Sequence, residues 1–150
     1  MELQVAKPSV PVAHWIVAGL SAVWNAFGAY DYVMTRSGNI DYLDGATRGQ
    51  GAAFLAWLDG TGIGVQVAWP LGVWASVAGV ILLLVRSRHA VTAFAVSLVG
   101  AVISMGLEHL QGIPAAFDSG AMRAMEALVI AVIVAQWWYA RRAIARGVLA

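Results

Sequence analysis

The chain has 150 residues, of which 61% are hydrophobic and 11% charged, and a formal net charge of +1. A domain that covers its surface for water carries about 25% charged residues, so the composition excludes an ordinary soluble protein. No Lys/Arg cluster forms a phosphate-binding stripe, which excludes nucleic acid as a partner, and zero cysteines exclude a disulfide framework, Cys-ligated zinc and iron–sulfur clusters.

Four apolar runs, at 12–34, 62–85, 90–110 and 122–140, are each roughly 20 residues long, the length that crosses a hydrocarbon core of about 30 Å. Together they leave no room for a second domain. The expected fold is a single integral membrane domain over 1–150: all-α, an antiparallel four-helix transmembrane bundle in contact with the lipid bilayer. The first run is longer than the ~7–15 apolar residues of a cleavable leader, and only Lys7 precedes it as a basic residue, so it reads as a retained span. Along it, His14, Ala18, Ser21, Asn25, Gly28 and Tyr32 fall on one small-and-polar stripe.

The longest connection runs from 35 to 61. Its first half is polar and rich in turn residues, whereas 52–58 is apolar and too short to span. That segment is expected to form a short interfacial helix in the first outer loop, either a lid or a surface anchor. In the second span Gly62, Gln66, Trp69, Val73 and Ser76 share a stripe, with Gly72, Ser76 and Gly79 making a small face beside it. Pro70 should kink this helix. Residues 86–89 are a link short enough to force a helical hairpin. In the third span Ser97, Ala101, Ser104 and Glu108 line up beside Gly100, and in the fourth Ala124, Ala127, Ala131 and Ala135 supply the small packing face. Glu126 lies at the edge of that seam, within reach of Arg123.

Basic residues set the expected orientation. Lys7, Arg86, Arg88, Arg141, Arg142 and Arg146 lie on one side, against Arg36, Arg48 and Arg123 on the other, which places both termini in the cytoplasm. Trp137, Trp138 and Tyr139 form an interfacial belt before the terminal arginines. Seven of the eight acidic residues (Asp31, Asp41, Asp44, Asp59, Glu108, Asp118 and Glu126) then gather at the outer end. Carboxylates and amides within an apolar zone are costly and mark cavities or partners. The expected ligand-binding site is therefore an outward-facing acidic pocket. Its floor is Asn25 and Gln66, its rim Asp31, Glu108, His109 and Glu126, and its aromatic walls Trp24, Tyr32 and Trp69.

Other chemistries fit less well. A metal site built from Asp31, Glu108, His109 and Glu126 is disfavoured because neighbours on a helix diverge by about 100°. Acid–base work by Glu126 and His109 is conceivable, but there is no nucleophile motif, which weighs against an enzyme. Gly-rich phosphate loops and paired haem-type histidines are absent, so no cofactor is expected.

The stretch Trp24-Asn25-Ala-Phe27-Gly28-Ala-Tyr-Asp31-Tyr32-Val-Met34-Thr35 resembles the W-N-x-F-G-x-x-D-Y-x-M-T signature of a family of small, uncharacterised bacterial inner-membrane proteins, some labelled sugar transporter. A second pattern, at Trp69, Gly72, Val73, Trp74, Val77 and Gly79, is also similar. The resemblance covers about a quarter of the chain. It implies an inner-membrane location and points to Trp24, Asn25, Asp31 and Tyr32. The leading reading is binding or transport of a small polar or cationic solute, with a homodimer completing a transport path. The rival is a non-catalytic subunit or assembly factor of a larger membrane complex. A membrane enzyme acting on a lipid or isoprenoid comes third.

Overall fold

The chain crosses its own length four times. A computed structural model describes residues 10–150 and contains α1 (Val12–Arg36), α2 (Ile40–Thr47), α3 (Gly51–Asp59), α4 (Ile63–Leu84), α5 (Ala90–Gln111) and α6 (Gly120–Ala145). Lys7 lies outside the described residues. Four of the helices, α1, α4, α5 and α6, are long and apolar enough to cross a membrane. They pack as an all-α bundle, the architecture of a multi-pass integral membrane protein.

The helices pack in a row, α1 on α4, α4 on α5 and α5 on α6, while α1 and α6 do not close against each other along their length. The α4–α5 hairpin is the most intimate pair, and its glycines explain why. A Cβ on Gly100 would stand 2.7 Å from the Gly72 nitrogen and 2.9 Å from the Ala68 carbonyl oxygen. The Ser97 hydroxyl donates to the Gly72 carbonyl at 2.7 Å across the same contact. Two turns further along α4, Gly79 makes room for the fully buried Phe94 ring. Close backbone approach of this kind is what small residues contribute in lipid, where apolar side chains gain nothing by leaving the hydrocarbon.

On α1 the buried residues are His14, Ala18, Ser21, Asn25 and Thr35. The expected stripe therefore holds through Asn25 and then drifts, leaving Gly28 exposed and Tyr32 half-buried. On α4 the small face wins over the polar stripe. Val65, Ala68, Gly72, Ser76 and Gly79 are buried, whereas Gln66, Trp69 and Val73 are only half-buried. The α6 expectation is overturned: Ala124, Ala127, Ala131 and Ala135 are all exposed, and Ile133, Gln136, Ala140 and Ala143 face inward. Ala140 and Ala143 join Val80, Leu83, Ala90, Phe94, Val148 and Leu149 in a buried apolar cluster at the end of the bundle that holds the C-terminus. There the last residues tuck under the hairpin turn, with Arg88 N–H donating to the Ala150 carbonyl at 2.9 Å and Ala150 N–H to Arg86 at 3.0 Å. Trp137 and Trp138 lie under the Arg141 and Arg142 guanidinium groups, at 4.8 and 3.9 Å.

The connection 37–62 holds two helices where one was expected. The turn-rich half forms α2 because Asn39 caps it, its side-chain oxygen accepting from Tyr42 N–H at 3.0 Å. Arg48, left-handed at φ 58, and Gly49 at φ 83 turn the chain into α3. Asp44 then locks the corner by accepting from Gly51 N–H at 2.7 Å.

Candidate functional site at the acidic end

Among the described residues the acidic side chains collect at one end of the bundle, opposite the start of α1 and the C-terminus. That end is tied together across the chain. Phe54 of α3 meets Phe117 of the α5–α6 loop edge-on at 5.3 Å, Trp57 Nε1–H donates to the Gly112 carbonyl at 3.3 Å, and Arg36 pairs with Asp59 at 3.3 Å. The α1–α4 connection is thereby fastened to the α5–α6 loop.

Hydrogen bonding sorts the expected site residues into separate groups. At the junction of α5 and α6, Glu108 is half-buried and accepts from the Ser104 hydroxyl at 2.9 Å. His109 Nε2 meets Glu126 at 3.0 Å, and Glu108 lies within electrostatic range of both. Arg123, expected within reach of Glu126, instead forks onto Asp118 with contacts of 2.8 and 2.6 Å. That fork holds the Asp118 carboxyl below the usual carboxylate range. A bidentate Arg–carboxylate pair explains the preference, since it satisfies both oxygens at once.

On α1 the Asp31 carboxylate accepts from the Tyr42 hydroxyl at 2.5 Å. Burial and the neighbouring carboxylate push the Tyr42 phenol well above its ordinary value. A raised phenol contributes stability that is present below pH 10 or so and fades as the pH climbs past that value. Tyr42→Phe is accordingly expected to leave the phenolate absorbance at 295 nm unchanged up to about pH 11 and to lower stability by about 1 kcal/mol. Loss of one phenolate's absorbance near pH 10 would contradict this.

The expected floor residues do not share partners. Asn25 donates to the Ser21 carbonyl at 2.8 Å and accepts from the Ser76 hydroxyl, stitching α1 to α4. Gln66 donates to the Leu58 carbonyl at 2.8 Å and to the Thr61 hydroxyl at 3.0 Å, stitching α4 to the end of α3. Tyr32 packs edge-on against Trp69 with centroids 4.9 Å apart, but Trp24 lies on the side of α1 that faces α6. Among the described residues no three His, Asp or Glu side chains are arranged to hold a metal ion.

Three polar residues here escaped the sequence reading. Tyr42 lay inside a segment taken as turn. Ser104 was seen only as a packing residue, although its hydroxyl is one turn from Glu108. Gln136 carried a signal that was there to use: a lone amide inside the fourth apolar run, where polar groups are expensive. Compared with known proteins, the chain matches no family model, no curated protein and no solved structure.

Proposed function

We propose that this membrane protein binds a small cationic or polar solute at its acidic end, with Glu108, Glu126 and His109 at the point of contact. One observation carries the reading. Glu126 contacts His109, Glu108 lies within electrostatic range of both, and among the described residues no Arg or Lys pairs with either carboxylate, because Arg36 is held by Asp59 and Arg123 by Asp118. With both carboxylates ionised the group carries more negative than positive charge at the membrane boundary, which a cation would neutralise. Tyr32 and Trp69 offer aromatic faces at the same end of the bundle. Carrying the solute across the bilayer would need a path that four helices do not enclose by themselves, so transport would use a homodimer. Both termini would lie in the cytoplasm of a bacterial cell and the site would open outward.

Calorimetry on the protein in lipid nanodiscs, with tetramethylammonium and guanidinium as probes and acetate as control, tests the proposal. Saturable binding of the cations alone is expected, weakened at least about tenfold, or about 1.4 kcal/mol, by Glu108→Gln or Glu126→Gln. Equal responses to cation and acetate, or cation binding indifferent to both substitutions, would overturn it.

A further inference from the structure

The arginines of the two ends differ in what holds them. At the acidic end Arg36 pairs with Asp59 and Arg123 with Asp118. At the opposite end stand Arg86, Arg88, Arg141, Arg142 and Arg146, none of them in an ion pair among the described residues. Every described Asp and Glu side chain lies at the acidic end, so none is there to meet them. Arg86 donates from Nε to the Val148 carbonyl at 3.0 Å. The Arg142 side chain donates to nothing among the described residues, and its guanidinium lies over the Trp138 ring, 3.9 Å from the centroid.

That contact fixes the guanidinium without consuming its N–H donors, and the planar fork they form matches a phosphate. Arg146 follows one turn later on the same face, so a second cation stands beside the first. Both arginines are exposed. Depth says where the phosphate comes from. α6 has 26 residues and is about 39 Å long at 1.5 Å per residue, against about 30 Å of hydrocarbon. Arg142, in its last turn, therefore stands in the headgroup layer. The half-exposed Trp138 ring beneath it lies at the depth where membrane tryptophans gather.

We propose that Arg142 and Arg146 hold the phosphate of an anionic phospholipid, with Trp138 keeping the Arg142 guanidinium in place. The surroundings decide the charge of the headgroup. Five arginines without a carboxylate make this end electropositive, which favours a headgroup of net negative charge. A zwitterionic choline lipid offers the same phosphate but brings an ammonium group into that field. The site shares no residue with Glu108, His109 and Glu126, so either site can fail without the other.

Thermal unfolding of the full chain in uncharged detergent tests the site, with dioctanoyl phosphatidylglycerol, dioctanoyl phosphatidylcholine and inorganic phosphate as probes. Phosphatidylglycerol should raise the midpoint saturably, at a half-saturating concentration at least about tenfold below that of phosphatidylcholine. Inorganic phosphate, which has no chains to carry it to this depth, should leave the midpoint unchanged at the same concentration. Arg142→Gln should raise the half-saturating phosphatidylglycerol at least about tenfold. Arg142→Lys keeps the charge but loses the fork, and should raise it at least about threefold. Arg48→Gln, which removes an exposed arginine at the acidic end, should leave it unaltered. Equal responses to the two lipids, or a shift with inorganic phosphate alone, would overturn the proposal. So would a phosphatidylglycerol response indifferent to Arg142→Gln, or one weakened equally by Arg48→Gln.

Discussion

Gly100→Ala is expected to destabilise the bundle by about 3 kcal/mol, at the upper end of ordinary overpacking, because the atoms it strikes are backbone. The new Cβ would sit 2.7 Å from the Gly72 nitrogen and 2.9 Å from both the Ala68 oxygen and the Gly72 Cα. No rotamer change relieves a contact with main chain, so α4 and α5 must separate. The Ser97–Gly72 hydrogen bond stretches as they do. Gly106 on the same helix is the control, since a Cβ there meets nothing within 4 Å. Gly106→Ala should be neutral or slightly stabilising, because alanine is the better helix former. Chemical unfolding of the two variants in mild detergent compares them directly, and equal stability would refute the close α4–α5 seam.

His14→Ala carries the second large effect. His14 is 1% exposed, and its ring is held at both nitrogens, with Nδ1 3.0 Å from the Tyr139 hydroxyl and Nε2 3.2 Å from the Leu83 carbonyl. A carbonyl only accepts, so Nε2 carries the hydrogen and donates to Leu83, in the last turn of α4. One ring thus fixes the terminal ends of α1, α4 and α6, and among the described residues it makes the only side-chain hydrogen bond between α1 and α6. Truncation opens a void and strands the Tyr139 hydroxyl, while the Leu83 carbonyl keeps only the Arg86 N–H, for a loss of about 3 kcal/mol. Tyr139→Phe removes one bond and keeps the ring, so about 1 kcal/mol is expected. The same unfolding measurement checks both. If His14→Ala costs no more than Tyr139→Phe, the three-helix tie is not what holds that end.

The spans were legible because membrane thickness dictates their length. The 122–140 run extends to Gly120–Ala145 only because capping by Ser119 and the arginine-bearing last turns add no hydropathy signal. Facing directions were legible where a helix carries a polar stripe, as α1 does with His14, Ser21 and Asn25. They were misread on α6, where four alanines at helical spacing suggested a packing face and the lone mid-span amide Gln136, which marks the inward side, was passed over. On that inward side Ala140 and Ala143 fit against Leu83, Ala90 and Phe94. Alanines that face lipid cost nothing in hydrocarbon, so Ala124, Ala127, Ala131 and Ala135 were free to stay outside. Asn25 and Gln66 shared a predicted face but not a network, because Gln66 lies where Leu58 and Thr61 present nearer oxygens. The His109–Glu126 pair depends on how α5 and α6 meet, which spacing along either helix does not encode.

Charged thiol reagents test most directly whether the bundle is antiparallel with the proposed electronegative site at the end opposite the start of α1 and the C-terminus. The chain has no cysteine, so each single replacement reports alone. Met122→Cys lies one helical turn before Glu126 and shares its face, whereas His89→Cys lies beside Arg86 and Arg88. In sealed vesicles, membrane-impermeant methanethiosulfonates bearing trimethylammonium or sulfonate groups should modify only one of these cysteines from outside. After permeabilisation the cation-over-anion rate ratio should be at least about tenfold higher at residue 122 than at residue 89, as expected for surface potentials of opposite sign. Modification of both cysteines from the same side, or equal rate ratios at the two positions, would contradict the account.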